Sequence, residues 1–301
     1  MDHDHSHAHS SSNIKVAFFF NLGFTLLEIV GGVLTNSVAI LSDAVHDLGD
    51  SLSLGLAWYL AGYSEKGQTN RYSYGYRRFS LLGAFINAVV LIVGSLYILS
   101  EAIPRLINPE QSNAPGMIIF ALIGIAVNGA AVLRLRNDQT MNAQVVTWHL
   151  LEDVLGWVAV LAVGVTLLFV DMPILDPILS ILITLYVLYN VIRNLWKTVE
   201  LFLQATPDNI DLTDIIQKLE AVPGVQSSHH THLWSLDGEH HVLTTHLVVD
   251  QHTSREKVMR IKATTKDVVN DLNLEHLTIE IEYEDEDCSI RAASQEHQHE
   301  H

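Results

Sequence analysis

Two histidine–aspartate pairs, His46 with Asp50 and His149 with Asp153, repeat the spacing His-x-x-x-Asp in separate apolar stretches. Residues four apart on a helix lie on one face, one turn above each other, so each pair offers an imidazole and a carboxylate in one direction. Together they make a complete tetrahedral set for zinc or a similar divalent ion. A pair taken alone could instead be a hydrogen bond that locks its helix. Two identical pairs in separate apolar helices favour a shared cation, because each charge in lipid needs an offset. The pattern implies a metal ion carried through a bilayer.

Other polar residues crowd the same stretches. Asp43, His46, Asp47 and Asp50 follow the i, i+3, i+4, i+7 spacing of one helix face. Asp47 and Glu152 either orient the imidazoles from behind or face a water-filled cavity. Asp43 and Glu28, nearer the helix ends, read as packing or hydration residues. A second cluster lies downstream: His229, His230 and His232 on one predicted strand, His240, His241 and His246 on and beside the next. Alternation puts His230 and His232 on one face and His229 on the other. Glu280, Glu282 and Cys288 stand where they could complete a site, the plainer alternative being solvated surface histidines. The tail segments HDHSHAHS and EHQHEH are low in complexity and collect metal loosely at most.

These residues need elements to hold them. Hydrophobic residues make up 49% of the 301-residue chain, with long apolar runs confined to residues 14 to about 200. Six stretches are long enough to span a bilayer: 14–34, 38–62, 79–103, 115–135, 143–169 and 174–195. Lys15, Lys66, Arg71, Arg77, Arg78, Arg134, Arg136, Arg193 and Lys197 flank one side, which places both termini in the cytoplasm. Small residues in the first three spans permit close helix packing. After Pro207 the pattern becomes helix 210–221, strands 225–236 and 240–249 joined at Asp237-Gly238, helix 253–272 and strand 276–284. The predicted fold is a six-helix membrane bundle followed by a small α+β cytoplasmic domain of order αββαβ. The corresponding boundaries are a disordered tail at 1–13, the bundle at 14–200, the soluble domain at 205–284 and a second disordered tail at 285–301. A net charge of −17 argues against nucleic acid as a partner and favours cations. One cysteine excludes a disulfide framework, and the polar MDHDHSHAHS start is no signal peptide.

LSDAVHDLGD, RYSYGYRRFSLLGAFIN, VVTWHLLED, HTHLWSL, TTHLVVD and LTIEIE together resemble the cation diffusion facilitator family of zinc transporters, from about Asn13 to Glu284. The resemblance implies a homodimer in the lipid bilayer with a ferredoxin-like, metallochaperone-like cytoplasmic domain, exporting divalent metal in exchange for protons. It implies that His46, Asp50, His149 and Asp153 form the transport site, and that His229, His246 and Glu282 bind zinc in the cytoplasm. Two departures stand out. The stretch KGQTNRYSYGYRR carries no histidine where some members bind a metal, and Phe79-Ser80 replaces the family's usual acidic residue. The 4–5 connection lacks a long His-rich loop, which points to a bacterial protein and its inner membrane.

Two imidazoles with two carboxylates suit zinc, with cobalt, nickel and iron(II) sharing its chemistry; cadmium is disfavoured without thiolates. An imidazole must lose its proton to ligate, so the same residues would couple metal to protons. No catalytic residues are expected. An intramembrane metalloprotease would want His-Glu-x-x-His, and WHLLED has no second histidine. The remaining alternative, a membrane-anchored metal sensor, accounts for the cytoplasmic histidines but not for the buried quartet.

Overall fold

The computed structural model describes residues 6–64, 67–135, 141–286 and 288. Six long helices come first: α1 (Ser6–Thr35), α2 (Val38–Ser64), α3 (Phe79–Ile107), α4 (Ala114–Leu135), α5 (Met141–Phe169) and α6 (Leu175–Phe202). Five of them, α2 being the exception, are long and apolar enough to cross a membrane. α2 has the length, 27 residues, but carries Asp43, Asp47 and Asp50. Large apolar side chains such as Val93, Leu122, Leu155 and Leu182 stand exposed along the helices, a surface suited to lipid.

Two helices run furthest past their predicted ends. α1 starts at Ser6, because the polar stretch before Ile14 holds no proline or glycine to stop it. The expected disordered tail therefore gives way to helix from Ser6, and residues 1–5 lie outside the described residues. α6 continues to Phe202, its polar last turns carrying Arg193 and Lys197.

Tight turns and close packing fix α2 and α5. Asn36 turns the chain in the left-handed region (φ 52°), which asparagine tolerates. The exposed N–H groups at the start of α2 are then met from α6. Asp176 accepts from the Ser37 hydroxyl at 2.5 Å, Val38 N–H at 2.8 Å and Ala39 N–H at 3.4 Å. Trp157 of α5 is buried with Ile40, Met117 and Val160, and its indole lies so close to Gly124 of α4 that a Cβ there would come within 2.3 Å.

The second unit comprises Lys197–His301 together with the α2–α3 loop, Lys66–Leu81. Its elements are α7 (Leu212–Glu220), β1 (Val225–Ser235), β2 (His241–Val249), α8 (Arg255–Val268) and β3 (Leu274–Tyr283). The sheet order is β1-β2-β3, with β1 antiparallel and β3 parallel to β2. Parallel pairing needs a crossover, and α8 supplies it. Asp211 and Ser254 cap the two helices, and Ile215, Leu219 and Ile261 share one core with Leu233, Leu243, Leu247 and Val249.

Three local expectations need correcting. The β1–β2 connection is not a two-residue turn. It spans residues 236–240, because Asp237 accepts from the N–H groups of Glu239 and His240 and so winds the loop on itself. The helix expected over 253–272 ends at Val268 and passes through a short 3-10 turn to Asn273, left-handed at φ 47°. Strict alternation fails in β1, where a bulge lies between His229 and His232 and His230 has φ 49°.

The loop without histidines makes a different tie. Arg77 pairs with Glu275 at 2.9 Å and Asp237 at 3.7 Å. Tyr74 stacks edge-on against His276 and Trp234.

Candidate metal centre

Helical periodicity brings the two His-x-x-x-Asp pairs face to face. His149 Nε2 of α5 lies 2.8 Å from Asp50 Oδ2 of α2. His46 Nε2 lies 3.8 Å from Asp50 and 4.0 Å from Asp153 Oδ1. The imidazole rings are 5.4 Å apart, near-perpendicular. His46, Asp50 and His149 form a compact group whose donor atoms all lie within 4.8 Å of one another. Asp153 reaches that group only through His46. In a tetrahedron with bonds of about 2.0–2.1 Å, donors stand about 3.4 Å apart. The spacings within the three-residue group, 2.8 and 3.8 Å, lie on either side of that value, whereas Asp153 lies outside the group and would have to move in to make a fourth donor.

Asp153 is buried and His46, Asp50 and His149 are half-buried; His46 and Asp153 line a cavity of about 290 Å³. The cavity is lined by Asp43, His46, Glu152, Asp153, Leu182 and Tyr186 among others. Of the two supporting acids, Glu152 faces this space and accepts from the Tyr186 hydroxyl at 3.2 Å. Asp47 turns the other way, toward α1, and leaves His46 Nδ1 without a partner. Glu28 and Asp43 are not hydration residues: both are buried, Glu28 completely. The spacing Asn21, Thr25, Glu28 on one face of α1 was a signal for this. The role of Tyr186, an aromatic residue in an apolar helix, had no such signal.

In the second unit, β1 and β2 register His229 opposite His246, and β3 brings Glu282 alongside. His246 Nδ1 lies 2.6 Å from Glu282 Oε1, and His229 Nε2 lies 3.0 Å from Glu282 Oε2. Cys288 Sγ stands 4.0 Å from His246 Nδ1 and joins the same metal-sized group. His230, set on its bulge, packs against both His229 and His246 instead of pointing with His232 alone. His240 and His241 belong elsewhere. His240 binds Asp237 at 2.8 Å, and His241 is buried at the start of β2. Glu280 reaches only the rim, 3.3 Å from His246 Nε2.

The electrostatics fit these contacts. Burial alone would raise the Glu282 carboxyl, but hydrogen bonds from His246 and Cys288 and the charge of His229 hold it below its ordinary value. Asp237 is lowered in the same manner: burial opposes, and the N–H groups and imidazole of His240 with the N–H of Glu239 prevail. Burial lowers the His241 imidazole. Two imidazoles, a carboxylate and a thiol make a borderline-soft donor set that fits zinc.

Residues 14–203 match the family described as the cation efflux transmembrane domain, and residues 207–284 match the cation efflux protein, cytoplasmic domain. The chain is 33% identical to a cadmium, cobalt and zinc/H(+)-K(+) antiporter of Bacillus subtilis (strain 168), over 94% of this chain and 93% of the relative. It is 32% identical to the metal cation efflux system protein CzcD of Cupriavidus metallidurans, over 90% and 86%. It is 31% identical to the zinc transporter ZitB of Escherichia coli (strain K12), over 95% and 92%.

Proposed function

Because the chain belongs to the cation efflux family, we propose that it exports a divalent metal cation, zinc before others, across a membrane in exchange for protons. It is a multi-pass membrane protein. The reading places it in a bacterial inner membrane with both termini cytoplasmic, as a homodimer. The observation that carries the proposal is the meeting of the α2 and α5 pairs, His149 on Asp50 and His46 beside Asp153.

Exchange follows from that geometry. An ionised carboxylate only accepts, so in the metal-free state the 2.8 Å contact suits a doubly protonated imidazolium at His149, which donates from Nε2 to Asp50 and must give up one net proton before that nitrogen can ligate. Metal entry must displace this proton, and a proton arriving from the far side must displace the metal. His46, Asp50, His149 and Asp153 thus bind one cargo or the other. Charge limits the ratio: one proton per zinc moves a net positive charge outward, opposed by about 2.3 kcal/mol per 100 mV, whereas two protons are electroneutral.

In the second unit the same reading has His229, His246 and Glu282 hold a resident zinc, with Cys288 as a fourth donor. Such an ion would pin β3 and the segment after it to β1 and β2, a regulatory brace outside the transport path.

The test is zinc flux in vesicles containing the purified protein, with a pH dye recording protons. Zinc should accumulate faster against an opposing proton gradient, with proton movement in step. Absence of zinc flux rejects the reading, and zinc flux without protons makes the protein a uniporter.

A further inference from the structure

The strongest feature left over by that mechanism lies on the other side of α2. Glu28 of α1 is completely buried, and neither of its carboxyl oxygens meets a hydrogen-bond donor among the described residues. It faces the carboxyls of Asp47 and Asp43 on α2, with Asp153 of α5 as the next acid. α4, which also packs on α1, brings no charge here; its Arg134 stands in the last turn. Asp43 and Asp47 are each only 6% exposed. Three carboxylates cannot all stay ionised so close together in an apolar bundle. Two ionised carboxylates have no hydrogen bond to share, whereas a proton on one turns the pair into donor and acceptor.

A polar seam leads to this cluster. Asn21, Thr25 and Glu28 follow one face of α1, and Ser51, Asp47 and Asp43 follow the facing stripe of antiparallel α2. Asn21 Nδ2 donates to Ser51 Oγ at 3.1 Å and to the Asp47 carbonyl at 3.2 Å, and the Thr25 and Ser51 hydroxyls are 3.3 Å apart. Asn21 and Ser51 lie toward the end of α1 that carries the N-terminus. On the opposite flank Asp43 borders the cavity beside His46 and Asp153. The seam is polar but holds no imidazole or thiol to bind a transition metal.

We propose that Glu28 is a proton-binding site separate from the metal ligands, supplying a second exchanged proton that leaves when the metal arrives. This deepens the transport reading and rests on it. A divalent cation among His46, Asp50, His149 and Asp153 puts positive charge beside Asp43 and Asp153, which favours ionised carboxylates in the cluster and so the loss of the Glu28 proton. Two protons, one from the imidazole and one from Glu28, then balance one zinc.

The experiment titrates zinc into purified full-length protein in weak buffer and counts protons released per zinc bound. Glu28→Gln, which mimics a permanently protonated side chain, should still bind zinc but release one proton fewer, and Glu28→Asp should restore the count. In vesicles the wild type should take up two protons per zinc with flux indifferent to membrane potential. Glu28→Gln should take up one, with flux slowed by an opposing potential. Equal proton release by wild type and Glu28→Gln overturns the proposal. If that variant does not fold, the wild type decides alone: infrared difference spectra must show a protonated carboxyl band lost on adding zinc, and no loss overturns it. Proton release without any zinc flux in vesicles would leave Glu28 standing and reject transport instead.

Discussion

The two metal-sized clusters set nearly the same side chains in different frames. Between α2 and α5 the spacings run from 2.8 to 4.0 Å, His46 and Asp153 line a cavity, and one donor stands apart from the other three. In the β-sheet unit one carboxylate takes both imidazoles, at 2.6 and 3.0 Å, with a thiol beside them. Helices can slide and tilt, so donors on facing helices change their separation together. Strands in register cannot, because the ladder fixes His229 against His246. On the proposed reading the first holds a cargo that has to leave and the second a brace that has to stay; looseness suits the one, a rigid frame the other.

The sharpest way to break this contrast is to remove ligands from each cluster in turn. Asp50→Ala deletes the carboxylate shared by both imidazoles, and zinc flux in vesicles should fall about 100-fold or more, with helix content by circular dichroism unchanged. Flux at the wild-type rate would remove the quartet from the path. His229→Ala combined with His246→Ala should cost one bound zinc per chain by calorimetry and shift the zinc dependence of transport, yet leave flux measurable. A total loss of flux there would erase the distinction between cargo and brace.

Packing and pH sharpen it further. Gly124→Ala drives a methyl into the Trp157 indole and should destabilise the bundle by about 1–3 kcal/mol, read as a lower midpoint of thermal unfolding. Acid should act on the other unit in two stages. His241 is lowered by burial, so stability falls as pH drops below about 6.5, where the unfolded imidazole takes up protons. Glu282 and Asp237 are lowered, so their contribution is present above about 4 and is lost as pH falls through their folded values. Hydrogen exchange of peptides from residues 225–283 follows both stages. Arg77→Gln gives the smallest effect, about 1 kcal/mol or less and weaker still at high salt, as faster exchange in residues 67–78.

How much could be read in advance follows the same division. The α2–α5 cluster was legible because a single rule, four residues per turn and a bit, carries His46 to Asp50 and His149 to Asp153. Its back side was not: Asp43 and Glu28 are distinguished from hydration residues only by which helix packs on them. The αββαβ order was legible from alternation and turn residues. The orientation of His230 was not, because one residue in a left-handed conformation at a bulge reverses the pattern, and no side-chain type announces it. The 236–240 loop was misread for a related reason: Asp237 makes its own hydrogen bonds where Asp-Gly usually closes a two-residue turn.

The capping of α2 by Asp176 has a consequence for how the chain is made. Val38 and Asp176 are 138 residues apart, and at about 5–20 residues per second that is roughly 7–28 s of translation. For most of that interval α2 has bare N–H groups at one end and three aspartates along its length, with α5 and α6 not yet made. A helix in that condition cannot be handed to lipid as soon as it emerges. It has to wait beside α1 at the insertion machinery until the last third of the bundle arrives. A chain truncated after α4 should therefore fail to retain α2 in the membrane, although every residue of α2 is present.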